Sequence, residues 1–413
     1  MTVAMLNIFQ QAPHALLPRF THDERSRQEF TKSLKGFVQQ GLLPGLGPVF
    51  AGRASKAFER AHGRPPADRH DIRKAMLADP YFQHYAAANR IAQELLWDSV
   101  IDSIERELPA LNAQAAALSL AASAPLETSP DFETPRYVTA LDIHCMPGGY
   151  AGELAPDDVS TGILYDRGVY LYAMGYMGPE NDDMGRSVAN YVRRNFPDFA
   201  PATILDMGCT VGHSTLPFRA AFPDATVTGI DVAGPQVRYA HARAAALGAD
   251  VGFLQRNAEA TGFPDASFDL IVSHILLHET SGKAMPAIVR ECFRLLKPGG
   301  LMIHADLPPF DLMDPFTQFI LDNETHYNNE PFWGAMREVD QIALAKSVGF
   351  PDPKFDTAPM AIMEFAAQSA DYADAAAVAD REFTAGEYAP GGGWSVLVAR
   401  KPVPSGREFE ARP

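Results

Sequence analysis

The stretch Ile204–Thr215, ILDMGCTVGHST, decides how this chain is read. A short apolar run broken by one acid feeds a turn of small residues ahead of a helical pattern, the arrangement by which a parallel sheet offers backbone N–H groups to a nucleotide-like ligand. Gly208 and Gly212 carry no Cβ, so the main chain can approach a bulky ligand closely. A dinucleotide fingerprint starting at Gly208 requires glycine at 210 and 213, where this chain has Thr210 and His213. Asp206 ends the strand, where it would repel a pyrophosphate and attract a cationic amino group.

Outward from this segment, strand-like runs recur at Thr226–Ile230, Val251–Leu254, Leu270–Ser273 and Leu301–His304, separated by helical patterns. The alternation predicts an α/β fold with a doubly wound, mostly parallel sheet. An amphipathic helix over Asn181–Phe196, with Met184, Val188, Tyr191, Val192 and Phe196 on one side, leads into the first strand. A later helix ends near Leu295–Lys297, stopped by Pro298-Gly299-Gly300. Trp394–Ala399 reads as a further strand with Met360–Phe365 as its neighbour.

Asp206, Gly208, Thr210 and Gly212 resemble the D-x-G-x-G-x-G loop of class I S-adenosylmethionine-dependent methyltransferases of the small-molecule type, with threonine where the middle glycine is usual. Three more segments fall in the family's order: VTGIDVA (Val227–Ala233), NAEATGFPDASFDLIVSHILLHE (Asn257–Glu279) and ECFRLLKPGGLMIHAD (Glu291–Asp306). The resemblance implies a Rossmann-like, seven-stranded sheet with its last strand antiparallel, S-adenosyl-L-methionine as cofactor, and methyl transfer to a small molecule, with oxygen the first choice of acceptor and nitrogen or sulfur open. Relatives that bind this cofactor without moving its methyl group form the alternative. A nicotinamide-dependent oxidoreductase is less attractive, because Asp206, Thr210 and His213 all oppose a pyrophosphate at the loop.

The expected cofactor set is Asp206, Gly208, Cys209, Thr210, Gly212, Asp231, Val232, Asn257, Ala258 and Ser273. Asp231 follows the second strand, where a carboxylate accepts from both ribose hydroxyls or else caps a helix. The resemblance puts Asn257 and Ala258 at the adenine edge; an amide bonds there without charge, and a polar turn residue is the bland reading. Thr210 offers either its hydroxyl to the cofactor or its methyl group to the helix beneath. Cys209 reads as a small buried filler, since no activating base stands near it in sequence.

Ligands of open parallel sheets lie beyond the carboxyl ends of the strands, which brings Ser273, His274 and His304 to one edge. His278 follows His274 by one helical turn, so the two share a face if a helix begins there. HILLHE lacks the H-E-x-x-H order, and no metal site is read from it. His278, His304 and His274 are the candidate bases, each with a structural hydrogen-bonded role as its alternative; a base is needed only when the acceptor carries a proton. For the acceptor pocket the sequence offers Tyr170 and Tyr172 ahead of the loop, and Tyr327 and Trp333 within an expected cover at 307–346.

The remaining chain divides into a helical N-terminal domain, 1–112, and a connection rich in Ala, Ser, Pro and Thr, 113–135, before the cofactor domain, 136–413. A helix from Asp79-Pro80 to about Leu108 presents Ile91, Leu95, Leu96, Val100, Ile101, Ile104 and Leu108 as one stripe. That stripe needs a partner, either neighbouring helices or a second copy in a homodimer. A net charge of −16 disfavours nucleic acid and anionic membrane surfaces. The expectation is a cytoplasmic protein: no apolar run reaches the ~18 residues of a spanning helix, the start lacks a secretory pattern, and three scattered cysteines give no disulfide framework.

Overall fold

The computed structural model describes residues 10–361 and 392–404. Among these described residues, eight strands form one sheet: β1 (Leu126–Glu127), β2 (Thr203–Met207), β3 (Thr226–Asp231), β4 (Gly252–Gln255), β5 (Phe268–His274), β6 (Leu296–Ala305), β7 (Lys354–Pro359) and β8 (Gly393–Arg400). Their order is β1-β4-β3-β2-β5-β6-β8-β7. The pairs from β1 through β6 are parallel, whereas β8 runs antiparallel to both β6 and β7. In β2, Ile204, Leu205 and Met207 are fully buried, as expected of a central strand covered on both faces. The chain winds to one side of β2 through β3 and to the other through β5, so the crevice at its carboxyl end is a topological switch point.

The mostly parallel architecture and the antiparallel final strand match the reading of the sequence, and three details correct it. The sheet has eight strands, because Leu126–Glu127 pairs with Phe253 and Leu254 at the edge. A two-residue strand carries no periodic signal, and this one lies inside the expected connection. The helix begun by Asp79 runs from Pro80 to Ala121, past Pro109, since the alanine-rich segment that follows is a strong helix former. The strand beside β8 is Lys354–Pro359, an edge strand too exposed to show an apolar alternation. Met360 lies just beyond it, its N–H bonded to Gly392 O at 3.0 Å, and positions 362–365 lie outside the described residues.

The apolar stripe of the long helix is covered within the chain. Leu96, Val100 and Ile104 pack with Ile163 and Leu164 of the helix Ser160–Tyr172 and with Tyr239 and Ala242 of the helix Gly234–Ala246. Gly168 makes the approach possible: a Cβ there would stand 2.0 Å from Trp97 Cζ3. Ile91 and Leu95, at the other end of the stripe, remain 51% and 38% exposed. Among the described residues, no helix is long and apolar enough to cross a membrane. All three cysteines are free and buried.

One buried carboxylate joins these layers. Asp166 accepts from Gln11 Nε2 (2.8 Å) and Tyr239 Oη (2.7 Å), meets His14 Nε2 (3.0 Å) and His213 Nε2 (2.9 Å), and pairs with Arg243 Nε (3.2 Å). Burial works against its charge, yet Arg243 and the two histidines hold it well below the usual carboxylate range. Its contribution to stability is therefore full above an unfolded pKa near ~3.9 and lost as pH falls through the lower folded value. Asp166→Ala strands Arg243 in the interior, and urea unfolding at neutral pH should show a loss of about 3–5 kcal/mol; a loss below ~1 kcal/mol would refute this role.

Candidate functional site

The site begins where β2 stops. Gly208 takes φ +72°, and a Cβ there would lie 2.6 Å from Leu276 Cδ1, so glycine is required on both conformational and steric grounds. The N–H groups of Gly208 and Cys209 both reach Ile230 O, at 2.8 and 3.0 Å, tying the turn to β3. Thr210 sits in the left-handed region at φ +43°, the conformation for which glycine is usual, and so carries local strain. Its N–H donates to Asp231 Oδ2 at 3.0 Å.

Asp231, at the tip of β3, receives Thr210 N–H on one oxygen and Ala233 N–H on the other at 2.9 Å. Both donors are neutral, and burial pushes its pKa up to about 6. Each oxygen keeps a lone pair for a further donor, as two ribose hydroxyls would supply. Asp206 is bonded by Thr215 Oγ1 at 2.6 Å and lies 3.2 Å from His274 Nδ1. Asn257 Oδ1 caps Glu259 N–H at 2.9 Å, while Glu259 accepts from Tyr137 Oη at 3.0 Å.

Asp206, Gly208, Thr210, Asp231, Asn257 and His274 line one cavity with Val232, Ala258, Ile275 and Leu276. Two buried polar atoms of its wall, His274 Nε2 and Asn181 Oδ1, have no hydrogen-bond partner among the described residues. Orphaned polar atoms beside a carboxylate fit a ligand end that both donates and accepts, such as an amino acid group. The cavity therefore fits the adenosyl amino acid implied by the loop's resemblance.

The same wall includes Tyr137, Tyr150, Tyr165, Ile143 and Glu279. Glu279 accepts from Tyr150 Oη at 2.8 Å and meets His144 Nε2 at 2.8 Å. The opposite ring nitrogen, Nδ1, lies 3.0 Å from Glu330 Oε1. Burial opposes the His144 charge, but Glu330 and Glu279 outweigh it and raise the imidazole well above its ordinary value. Glu324, buried nearby and repelled by Glu330, is pushed up to about 7.

The sequence-predicted residues separate by position. Asp206, Gly208, Cys209, Thr210, Asp231, Val232, Asn257, Ala258 and His274 meet at the cavity. Gly212 lies beneath the loop against Phe253, and Ser273 is bonded to His304 Nδ1 at 2.6 Å inside the sheet. Burial lowers His304 to about 4, so it is neutral. His274 and His278 do not share a helical face: His274 ends β5, whereas His278 lies in a single tight turn and bonds Asp306 at 2.6 Å. Tyr170 packs beside Arg167, Tyr172 lies under Lys35 Nζ, Tyr327 meets Phe82, and the Trp333 indole bonds Leu321 O. Among these, Tyr172 lies 6.3 Å from the His144 ring and Trp333 lies 5.0 Å from the His278 ring. His144, Tyr150, Asn181 and Glu330 escaped sequence reading because they come from distant segments without a motif; HILLHE did contain Glu279, and Tyr165 opens the segment YDRGVYLYAMG, read from sequence as a second cover whose tyrosines could stack beside the cofactor.

Residues 204–300 match the family model described as a methyltransferase domain. The chain is 34% identical over 110 residues to the demethylmenaquinone methyltransferase of Thermus thermophilus, covering 27% of this chain and 49% of that protein. It is 30% identical over 188 residues to the malonyl-[acyl-carrier protein] O-methyltransferase of Methylococcus capsulatus, covering 45% and 64%. In neither case does it span two thirds of the relative's length. Among solved structures, phosphoethanolamine N-methyltransferase 2 of Haemonchus contortus superposes with a TM-score of 0.40 at 18% identity over 58% of each chain.

The geometry of Asp231 gives a measurable expectation. Asp231→Ala should weaken S-adenosylmethionine binding by roughly 1.5–3 kcal/mol through loss of charge-assisted hydrogen bonds. Wild-type affinity should fall as pH drops through about 6, where a proton occupies an accepting oxygen, and this slope should vanish in the variant. Calorimetric titration between pH 5 and pH 8 checks both, and an unchanged affinity in Asp231→Ala would remove the ribose role.

Proposed function

Through residues 204–300 the chain belongs to the class I S-adenosylmethionine-dependent methyltransferase superfamily, and we propose that it transfers the methyl group of that cofactor to a small-molecule acceptor. The observation that carries this reading is one cavity at the switch point whose wall brings Asp206 and Asp231 together with Tyr137, Tyr150, Tyr165 and Glu279. The bound cofactor supplies a sulfonium methyl group that a nucleophile displaces in one step. The chain's own work is then to align that nucleophile and exclude water.

Asp231 and Asn257 would hold the ribose and adenine, while Asp206, His274 and Asn181 would hold the amino acid end. An acceptor lying against Tyr137, Tyr150 and Tyr165 would place its proton within reach of Glu279, and His144 can stabilise the resulting charge arrangement from behind. His278 belongs to the same cluster, 3.6 Å from Glu279 and 3.9 Å from Glu330, with burial opposing its charge and Asp306 raising its pKa. His304, neutral and enclosed, serves the sheet. Oxygen remains the first acceptor choice, since a carboxylate partner suits the removal of a hydroxyl proton. The names of relatives include O- and N-methyltransferases and leave this choice open.

Incubation with methyl-labelled cofactor and a panel of phenols, carboxylic acids, amines and thiols tests the reading. A labelled acceptor should form with one equivalent of S-adenosylhomocysteine, and Glu279→Gln should lower kcat about 10²- to 10⁴-fold with little change in cofactor KM. Cofactor binding without transfer to any acceptor would move the chain to the alternative class of non-methylating binders.

We also place a homodimer contact on the N-terminal helices, supported by exposed Phe30 and Phe37 on the helix His22–Phe37 and Ile91 and Leu95 on the helix beside it. Light scattering should report a dimer that Phe30→Lys with Ile91→Lys converts to monomer; a monomeric wild type would refute it. The buried free cysteines support the cytoplasmic setting expected from the sequence.

A further inference from the structure

We propose that His144, Glu279 and Glu330 form a divalent-cation site on the wall of the cavity. Their ligand atoms lie within 4.8 Å of one another, although the residues come from three separate parts of the chain. His144 belongs to the short turn Ile143–Cys145, Glu279 closes the turn Leu277–Glu279 after β5, and Glu330 lies in the segment after β6. Glu279 meets Nε2 of His144 at 2.8 Å and Glu330 meets Nδ1 at 3.0 Å; because a metal takes one ring nitrogen, with bonds of about 2.1 Å, the carboxylate on the other nitrogen would turn to bring an oxygen to the ion.

The surroundings hold these donors in place. His144 adopts φ +56°, a left-handed conformation uncommon for its residue type, and its carbonyl is fixed by Trp97 Nε1 at 2.7 Å and Gln93 Nε2 at 3.0 Å. Asn328 Nδ2 bonds Glu330 Oε1 at 2.6 Å, and Tyr150 Oη bonds Glu279 Oε1 at 2.8 Å. Hydrogen bonds of this kind orient metal ligands from the second layer.

An independent observation points to a missing partner. Glu330 is 1% exposed, and among the described residues its Oε2 accepts no hydrogen bond, with the imidazole Nε2 of His278 standing 3.9 Å away. A buried carboxylate oxygen in that state calls for a cation. One proton on the imidazole offsets one of the two carboxylates, whereas a divalent ion offsets both. A single imidazole with two carboxylates suits Mn²⁺, Fe²⁺ or Zn²⁺ better than the all-oxygen shell of Ca²⁺. Because Glu279 lines the cavity, the ion would face it and could take an acceptor oxygen as a further ligand. That use rests on the methyl-transfer reading, while the binding of the ion does not.

The test uses the full chain, freed of metal by a chelator and without cofactor. Titration with Mn²⁺, followed by loss of the free-ion electron paramagnetic resonance signal, should give one site per chain. Spin-echo modulation from a histidine nitrogen should appear on the bound ion. His144→Ala and Glu330→Gln should each weaken uptake at least about tenfold, with S-adenosylhomocysteine binding retained as evidence of folding. If a variant fails to fold, the nitrogen modulation in the wild type decides the matter alone. The proposal falls if no stoichiometric uptake occurs up to about 1 mM Mn²⁺, if the bound ion shows no histidine nitrogen, or if folded variants bind as the wild type does; the cluster is then an ion-paired triad. Failure of S-adenosylmethionine to bind would overturn the methyltransferase reading and leave this measurement intact.

Discussion

The buried carboxylate of Asp166 is the constraint on which the arrangement of layers depends. An ionised group cannot remain in an apolar interior without partners, so its burial obliges donors to converge from separate segments. Gln11 and His14 come from the N-terminal segment, His213 from the loop after β2, and Tyr239 and Arg243 from the helix after β3. Asn181 adds a bond to the Asp166 carbonyl at 3.0 Å while its own Oδ1 stands in the cavity wall. One charge thus sets the position of the cofactor loop relative to the helices that cover it.

The two ends of the cavity handle negative charge differently. Asp231 meets main-chain N–H groups alone, which satisfy its geometry without supplying a counter-charge, and desolvation therefore dominates. Glu279 is less enclosed, and His144 stands beside it and holds it below the ordinary range against the desolvation it does suffer. The nucleotide end can gain from neutral hydroxyl donors. Glu279 is already matched to positive charge, which keeps it ionised and able to accept a hydrogen bond from a donor in the cavity.

Much of the nucleotide end was legible in the sequence because its residues follow a fixed order on consecutive strands. Asp206, Gly208, Asp231 and Asn257 were each found by their place after an apolar run, and each reaches the cavity. Thr210 was the one departure, and the structure accounts for it: the backbone keeps a positive φ that threonine can adopt at some cost. The acceptor end was not legible, because His144, Tyr150 and Glu330 have neither periodicity nor motif and meet only through folding. The histidines near the sheet edge attracted attention by type and strand position. Their neighbours, Asp206, Asp306 and Ser273, determine what each of them does. The same limit explains the long helix, where an alanine-rich tract resembling a flexible connection continues the helix to Ala121.

The turn at His144 leans on Trp97 and Gln93, both carried by the long N-terminal helix. The helical layer is thereby a structural wall of the reaction chamber rather than an appendage hung beside it. A chain pared back to the sheet and its flanking helices would keep the nucleotide berth and lose the masonry behind the imidazole. Variation among descendants of this sequence is accordingly freer at the outer rim of the layer than along the seam where Trp97 crosses Gly168.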